Sequence, residues 1–342
     1  MGDSQRIIWI DYMKAFSALS VVLYHTNITS PVKSIVYIVS LPAFFLAAGM
    51  FTNTKLSPLQ FFRHKTLRLL IPYFVFGILS WVAWLFIGRK FGYDTENISA
   101  WWSPLVGMLI GEVDGLVQNR PLWFLCCMMM TEWIYYLLNR ITKKWIKWIC
   151  IIFATTIGCV LAWLGLKGVW GIIAALIIMP LYAVSAEQRE TLRNKVSALK
   201  TKSLLLILAG SLAGVAIGYL FNADISISRY KIGNPALFYL TIFSVAGMWL
   251  TMALLLERFS KNVRILRYIG KNTLIILCTH IPLFGAIKGC SMILGIPLDF
   301  FQSTIGSLFL WAIAILLEIV VIFLINTYFP FLIGRKRNNP NP

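Results

Sequence analysis

The chain has 342 residues; 59% are apolar and only 13% are charged, with 31 Lys and Arg against 13 Asp and Glu. A formal charge of +18 on so apolar a chain excludes a nucleic-acid-binding domain, whose basic stripes would cover an ordinary core, and a disordered basic tail. It fits an all-α polytopic membrane protein that keeps its Lys and Arg in the loops on one side. A hydrocarbon core of roughly 30 Å asks for about 20 mostly apolar residues per helix. Ten segments meet this: 7–27, 35–53, 67–88, 121–139, 146–164, 168–185, 203–221, 236–256, 269–290 and 304–328. The stretch 101–113 reads instead as interfacial, given Trp101, Trp102 and the acidic residues that follow. The first segment contains Asp11 and Lys14 and has no small-residue cleavage site, so it reads as a span and not as a cleavable signal. The whole chain reads as one transmembrane domain.

Ten spans put both termini on one side. If that side is the cytoplasm, 22 of the 31 basic residues fall inside and 8 outside, with Lys14 in the first span. That bias predicts cytoplasmic termini. The six cysteines lie in or beside spans without metal-ligand spacing, and they read as packing residues. No metal is expected. The halves show no similarity of the kind that marks many transporters.

Ionisable groups in a bilayer core are costly, so each is a candidate functional residue. The first helix carries Asp11, Lys14 and His25. At about 100° per residue, Lys14 sits about 60° from Asp11 and His25 about 20° from Lys14. One polar stripe therefore runs along the helix, with the acid–base pair and the imidazole roughly 16 Å apart. Glu132, His280 and Glu318 lie within later spans. Arg63, Lys65 and Arg68 crowd one entrance of the third span, and Lys65 and Arg68 at i and i+3 can hold one anion together. Pro72 implies a kink or a late helix start. Each feature also has a plainer reading: a snorkelling ion pair, a helix cap, satisfied inter-helix hydrogen bonds, or an ordinary positive flank.

These residues resemble acyltransferase family 3. The run from Arg6 to Lys14, followed by Val21 to His25, is similar to that family's opening signature of a basic residue, ten intervening residues and a His. Lys14 stands where many members have Arg, and Lys meets phosphate as a point charge, not a two-pronged fork. Lys65-x-x-Arg68, with Pro72 beyond it, looks like the family's basic pair. Pro121 to Leu125 resembles its Leu-Trp-Phe-Leu helix start, and Ile269 to His280 its late helix. Gly233 to Tyr239 is similar to the fucose 4-O-acetylase-like branch. The resemblance covers residues 6–328.

It implies a membrane O-acyltransferase, in the first instance an O-acetyltransferase of a bacterial inner membrane. Such an enzyme moves an acyl group from cytoplasmic acyl-CoA, expected to be acetyl-CoA, to a hydroxyl of a surface glycan or its lipid-linked precursor. On this reading His25 is the catalytic residue, as general base or transient acyl carrier. Lys14, Arg63, Lys65 and Arg68 bind the donor's phosphates, and Asp11 holds Lys14. Glu132 or His280 orients His25 or handles protons. Trp123, Tyr230 and Asn234 are expected at the sugar site. Partners are the donor, the acceptor and the bilayer, with no nucleic acid; homodimerisation is left open. The rival reading is a flippase or transporter of a lipid-linked sugar, in which the stripe would be a proton or substrate path.

Overall fold

A computed structural model describes residues 7–91, 100–260 and 262–335. Arg6, Lys261, Lys336 and Arg337, counted above among the inside charges, lie outside the described residues. The described chain is helical. Its one β feature is an isolated antiparallel bridge between Ser226 and Lys231. Among the described residues, nine helical segments are long and apolar enough to cross a membrane. The first helix, α1 (Ile8–Tyr24), has 17 residues, the short end of the range a span needs.

The chain divides into two units. The first holds the described residues of 1–52, 178–227 and 231–273. After α1 come α2 (Val32–Ser40) and α3 (Pro42–Met50). The sequence suggests one span over 35–53; instead it starts at Val32 and is broken at Leu41, because Pro42 opens a new helix at its N1 position. The Ser17 hydroxyl donates to the Ser40 carbonyl at that break. Further along, α9 (Thr201–Phe221) and α10 (Pro235–Phe259) pack closely. Gly214 and Gly218 allow this: a Cβ at either would lie 2.1 or 2.0 Å from the Ser244 or Thr241 hydroxyl. Small residues at every fourth position let membrane helices approach in this way. A short amphipathic helix, α11 (Arg264–Lys271), packs against α1. The sequence suggests a single span over 269–290, but α11 ends at Lys271 and a new helix begins at Thr273.

The second unit holds the described residues of 53–177, 228–230 and 274–335. Its longest helix, α4 (Pro58–Phe86), starts nine residues before the predicted span at 67. The overlooked signal is local: Ser57 and Gln60 form a capping box, and Pro58 occupies N1. Arg63, Lys65 and Arg68 are consequently inside a helix and not at its entrance, and α4 runs through Pro72. The interfacial stretch is α5 (Ser103–Ile110), eight residues long and too short to cross. The other helices are α6 (Trp123–Leu138), α7 (Lys144–Trp163), α12 (Thr273–Ile293) and α13 (Thr304–Tyr328). A further helix, α8 (Ile172–Glu187), confirms the short sixth span. Burial sorts the second unit's helices. The apolar window ending α6 is 72% buried, while those of α7 and α13 are 22% and 28% buried. Exposed Ile152, Phe153, Leu316 and Phe323 on the latter two are suited to lipid.

Candidate active site

In the first unit the predicted stripe on α1 is present. Lys14 Nζ lies 3.4 Å from Asp11 Oδ1, the i,i+3 pairing that the spacing suggests. Asp11 is 3% exposed, whereas the Lys14 side chain keeps 22% of its surface. The burial comes from α11. A Cβ at Gly270 would fall 1.8 Å from the Asp11 carbonyl oxygen, so only glycine fits there. The Val263 N–H also donates to the Tyr12 hydroxyl at 2.8 Å. His25 caps the other end of α1, with φ −82° and ψ −2°. It is half-buried, and its ring meets Tyr24 edge-on at 4.9 Å. Tyr24 in turn rests against Tyr37 and beneath the Lys33 ammonium.

In the second unit α4 and α6 bring together two residues that the sequence placed in different roles. Lys65 Nζ lies 2.5 Å from Glu132 Oε1, with side chains 10% and 6% exposed. Glu132 Oε2 is buried without a hydrogen-bond partner among the described residues. Phe61 stacks on Tyr136 at 4.2 Å one turn away, and the Lys65 ammonium also lies 5.7 Å from the Phe61 ring centre. The expected joint grip of Lys65 and Arg68 is therefore divided. Lys65 faces α6 and is buried, while Arg63 and Arg68 are exposed.

His280 on α12 is fully buried, and its Nδ1 pairs with the Ile276 carbonyl at 2.6 Å. This contact, within one helix, occupies one of the two ring nitrogens. Glu318 on α13 accepts from the Thr279 hydroxyl at 2.8 and 2.9 Å. Trp123 is 6% exposed and packs edge-on to Phe124, which leaves it almost no open face. In the first unit, Asn234 caps α10, its side-chain oxygen accepting from the Ala236 and Leu237 N–H groups. That local role explains Asn before Pro there.

Tyr230 keeps its interest, and it has neighbours that sequence reasoning did not single out. It takes a left-handed backbone conformation, with φ 58°. Burial, followed by the carboxylate of Glu112, raises its phenol well above the ordinary value, so it stays protonated through neutral pH. Arg229 beside it donates to Asp114 Oδ1 through Nε at 3.2 Å and Nη2 at 3.0 Å. Trp170 is likewise left-handed, with φ 56°, and its indole N–H donates to the Leu109 carbonyl at 2.8 Å. A signal existed for Glu112. It follows Gly111, the left-handed glycine that ends α5, so a charge sits where the chain turns back. Nothing in the spacing links it to Trp170 or Tyr230, far along the chain.

None of the six cysteines is in a disulfide, and Cys126, Cys127 and Cys278 are buried. Among the described residues no group of His, Cys, Asp or Glu is arranged to hold a metal ion. Comparison with known families gives one match: residues 7–327 fit the model of acyltransferase family 3, described as an acyltransferase domain. No curated protein and no solved structure was found to match the chain.

Proposed function

The chain belongs to acyltransferase family 3 and is thus a membrane acyltransferase, and from that premise we propose that it is an O-acyltransferase of a bacterial inner membrane. It takes an acyl group, acetyl in the first instance, from cytoplasmic acyl-CoA. It delivers that group to a hydroxyl of a surface glycan or its lipid-linked precursor. The observation that carries this reading is the α1 stripe within the matched region: a buried carboxylate holding an ammonium, and an imidazole at the far end of the same helix.

In this mechanism His25 takes the proton from the acceptor hydroxyl as its oxygen attacks the thioester carbonyl. A new C–O bond forms, the C–S bond breaks, and the departing thiolate receives a proton. His suits this task because its ordinary pKa lies near neutrality. Lys14, held by Asp11, is a fixed positive charge for the donor. Arg63 and Arg68 are exposed on α4 of the second unit and offer planar forks to an anion. The charge of Lys65 is already met by Glu132, so the pair's first role is to hold α4 against α6.

The test is mass spectrometry of surface glycans from cells lacking the protein, complemented with wild type or with His25→Ala at matched membrane levels. Wild type should restore an acyl mass on the glycan, and His25→Ala should not. Restoration by His25→Ala would remove His25 from the chemistry. No acyl difference between wild type and the null strain would remove the activity itself.

A further inference from the structure

We propose that Glu112, Trp170 and Tyr230 form a binding subsite for a neutral polyhydroxylated ligand, the sugar ring of the acceptor. The proposal rests on the acyl-transfer reading above only for the ligand's place in the reaction. The site itself is argued from side chains of the second unit.

Its centre is the loop from Gly111 to Asn119. The loop folds back hard on α5: a Cβ at Gly107 would lie 1.9 Å from the Gly115 carbonyl oxygen. At the start of the loop, a Cβ at Gly111 would lie 2.8 Å from Trp170 Cδ1, so the indole lies against the residue beside Glu112. Tyr230 is brought in by its neighbour Arg229, whose guanidinium is fixed on Asp114. Its phenol meets the Gly168 backbone, two residues before Trp170. Two aromatic residues are thus brought to the loop that carries Glu112, and both have left-handed backbones that bulky residues rarely adopt. Such conformations persist where the surroundings impose them, and they cluster at ligand sites.

The polar groups then specify the ligand. Asp114 is answered by Arg229, but Glu112 Oε1 is buried with no hydrogen-bond partner among the described residues. The same loop holds two more buried oxygens without partners there, Gln118 Oε1 and Asn119 Oδ1. The orientation of the Asn119 amide is settled by its nitrogen, which donates to the Cys278 carbonyl at 2.8 Å and to Ser80 Oγ at 3.0 Å. Every unmet group in this loop is therefore an acceptor. A phosphate or carboxylate would add acceptors to acceptors. A ligand rich in hydroxyl donors supplies what is missing. Sugar rings have such hydroxyls, and their C–H faces pack on aromatic rings such as Trp170 and Tyr230.

The test measures binding of a panel of methyl glycosides (of fucose, rhamnose, glucose, galactose and N-acetylglucosamine) to the purified full-length protein by saturation-transfer NMR. Wild type should bind at least one. Glu112→Gln should weaken that binding about tenfold or more, the effect of losing a hydrogen bond to a charged group. Trp170→Phe should also weaken it, and it carries the test if Glu112→Gln does not fold. Absence of binding to every glycoside overturns the proposal, as does binding by the variants within twofold of wild type. Acetyl transfer from acetyl-CoA to the same glycosides separates the two readings. Glu112-dependent binding without transfer leaves the subsite and removes the transferase reading. Transfer with an unchanged acceptor KM in Glu112→Gln does the reverse.

Discussion

Two ion pairs among the described residues sit in apolar helices, one in each unit. Asp11 and Lys14 are three residues apart on α1, at 3.4 Å, and the lysine keeps 22% of its side-chain surface. Lys65 and Glu132 are 67 residues apart on α4 and α6, at 2.5 Å, with both side chains nearly closed off. The first pair is a property of one helix and leaves its cation partly exposed. The second is a property of the fold and consumes its cation. A lysine within a basic run is therefore not by itself an anion site; what lies across the helix interface decides.

The contrast can be broken in order of expected effect. His25→Ala, on the same helix as the first pair, should lower kcat about 10²–10⁴-fold with the melting temperature unchanged. A large fall in melting temperature would show that His25 is only a cap for α1. Glu132→Gln should cost stability of about 3–5 kcal/mol, because it leaves the Lys65 ammonium buried and alone. Thermal unfolding in detergent reads this directly. The double variant Lys65→Met/Glu132→Met should recover most of that loss, since replacing both members of a buried pair with apolar groups is often neutral. If it folds stably but stays inactive, the pair has a role in the chemistry as well. Asp11→Asn should cost less stability than Glu132→Gln, because the Lys14 ammonium it leaves behind is partly exposed, and its main expected effect is a higher donor KM through Lys14. Arg229→Lys sets the lower limit: the Asp114 pair has both side chains more than half exposed, so its loss should change stability by less than about 1 kcal/mol.

Much of the fold was legible because a bilayer imposes a simple length rule. The last segment, 304–328, coincides with α13. The misplaced boundaries have local causes that a length rule does not register: a cap, a proline or a break within a span. The capping box at Ser57 begins α4 in a stretch with Arg63, His64 and Lys65, where hydropathy alone shows no helix. Asn272 divides α11 from α12 inside a stretch that the length rule reads as one span. The site was legible in proportion to its locality. Helical phase was enough to join Asp11 to Lys14. It could not join Lys65 to Glu132, nor show that Trp123 is buried and that Asn234 is a cap.

The sequence by itself determined that this is a helical membrane protein with a polar stripe on its first helix, because helix length and helical phase depend only on residues near in the chain. The partners of Lys65 and Glu132 were decided by tertiary structure alone, as was the meeting of Glu112, Trp170 and Tyr230. Those contacts depend on how helices pack. In a bilayer a polar group takes whichever partner the packing brings to it, because no water is present to replace it.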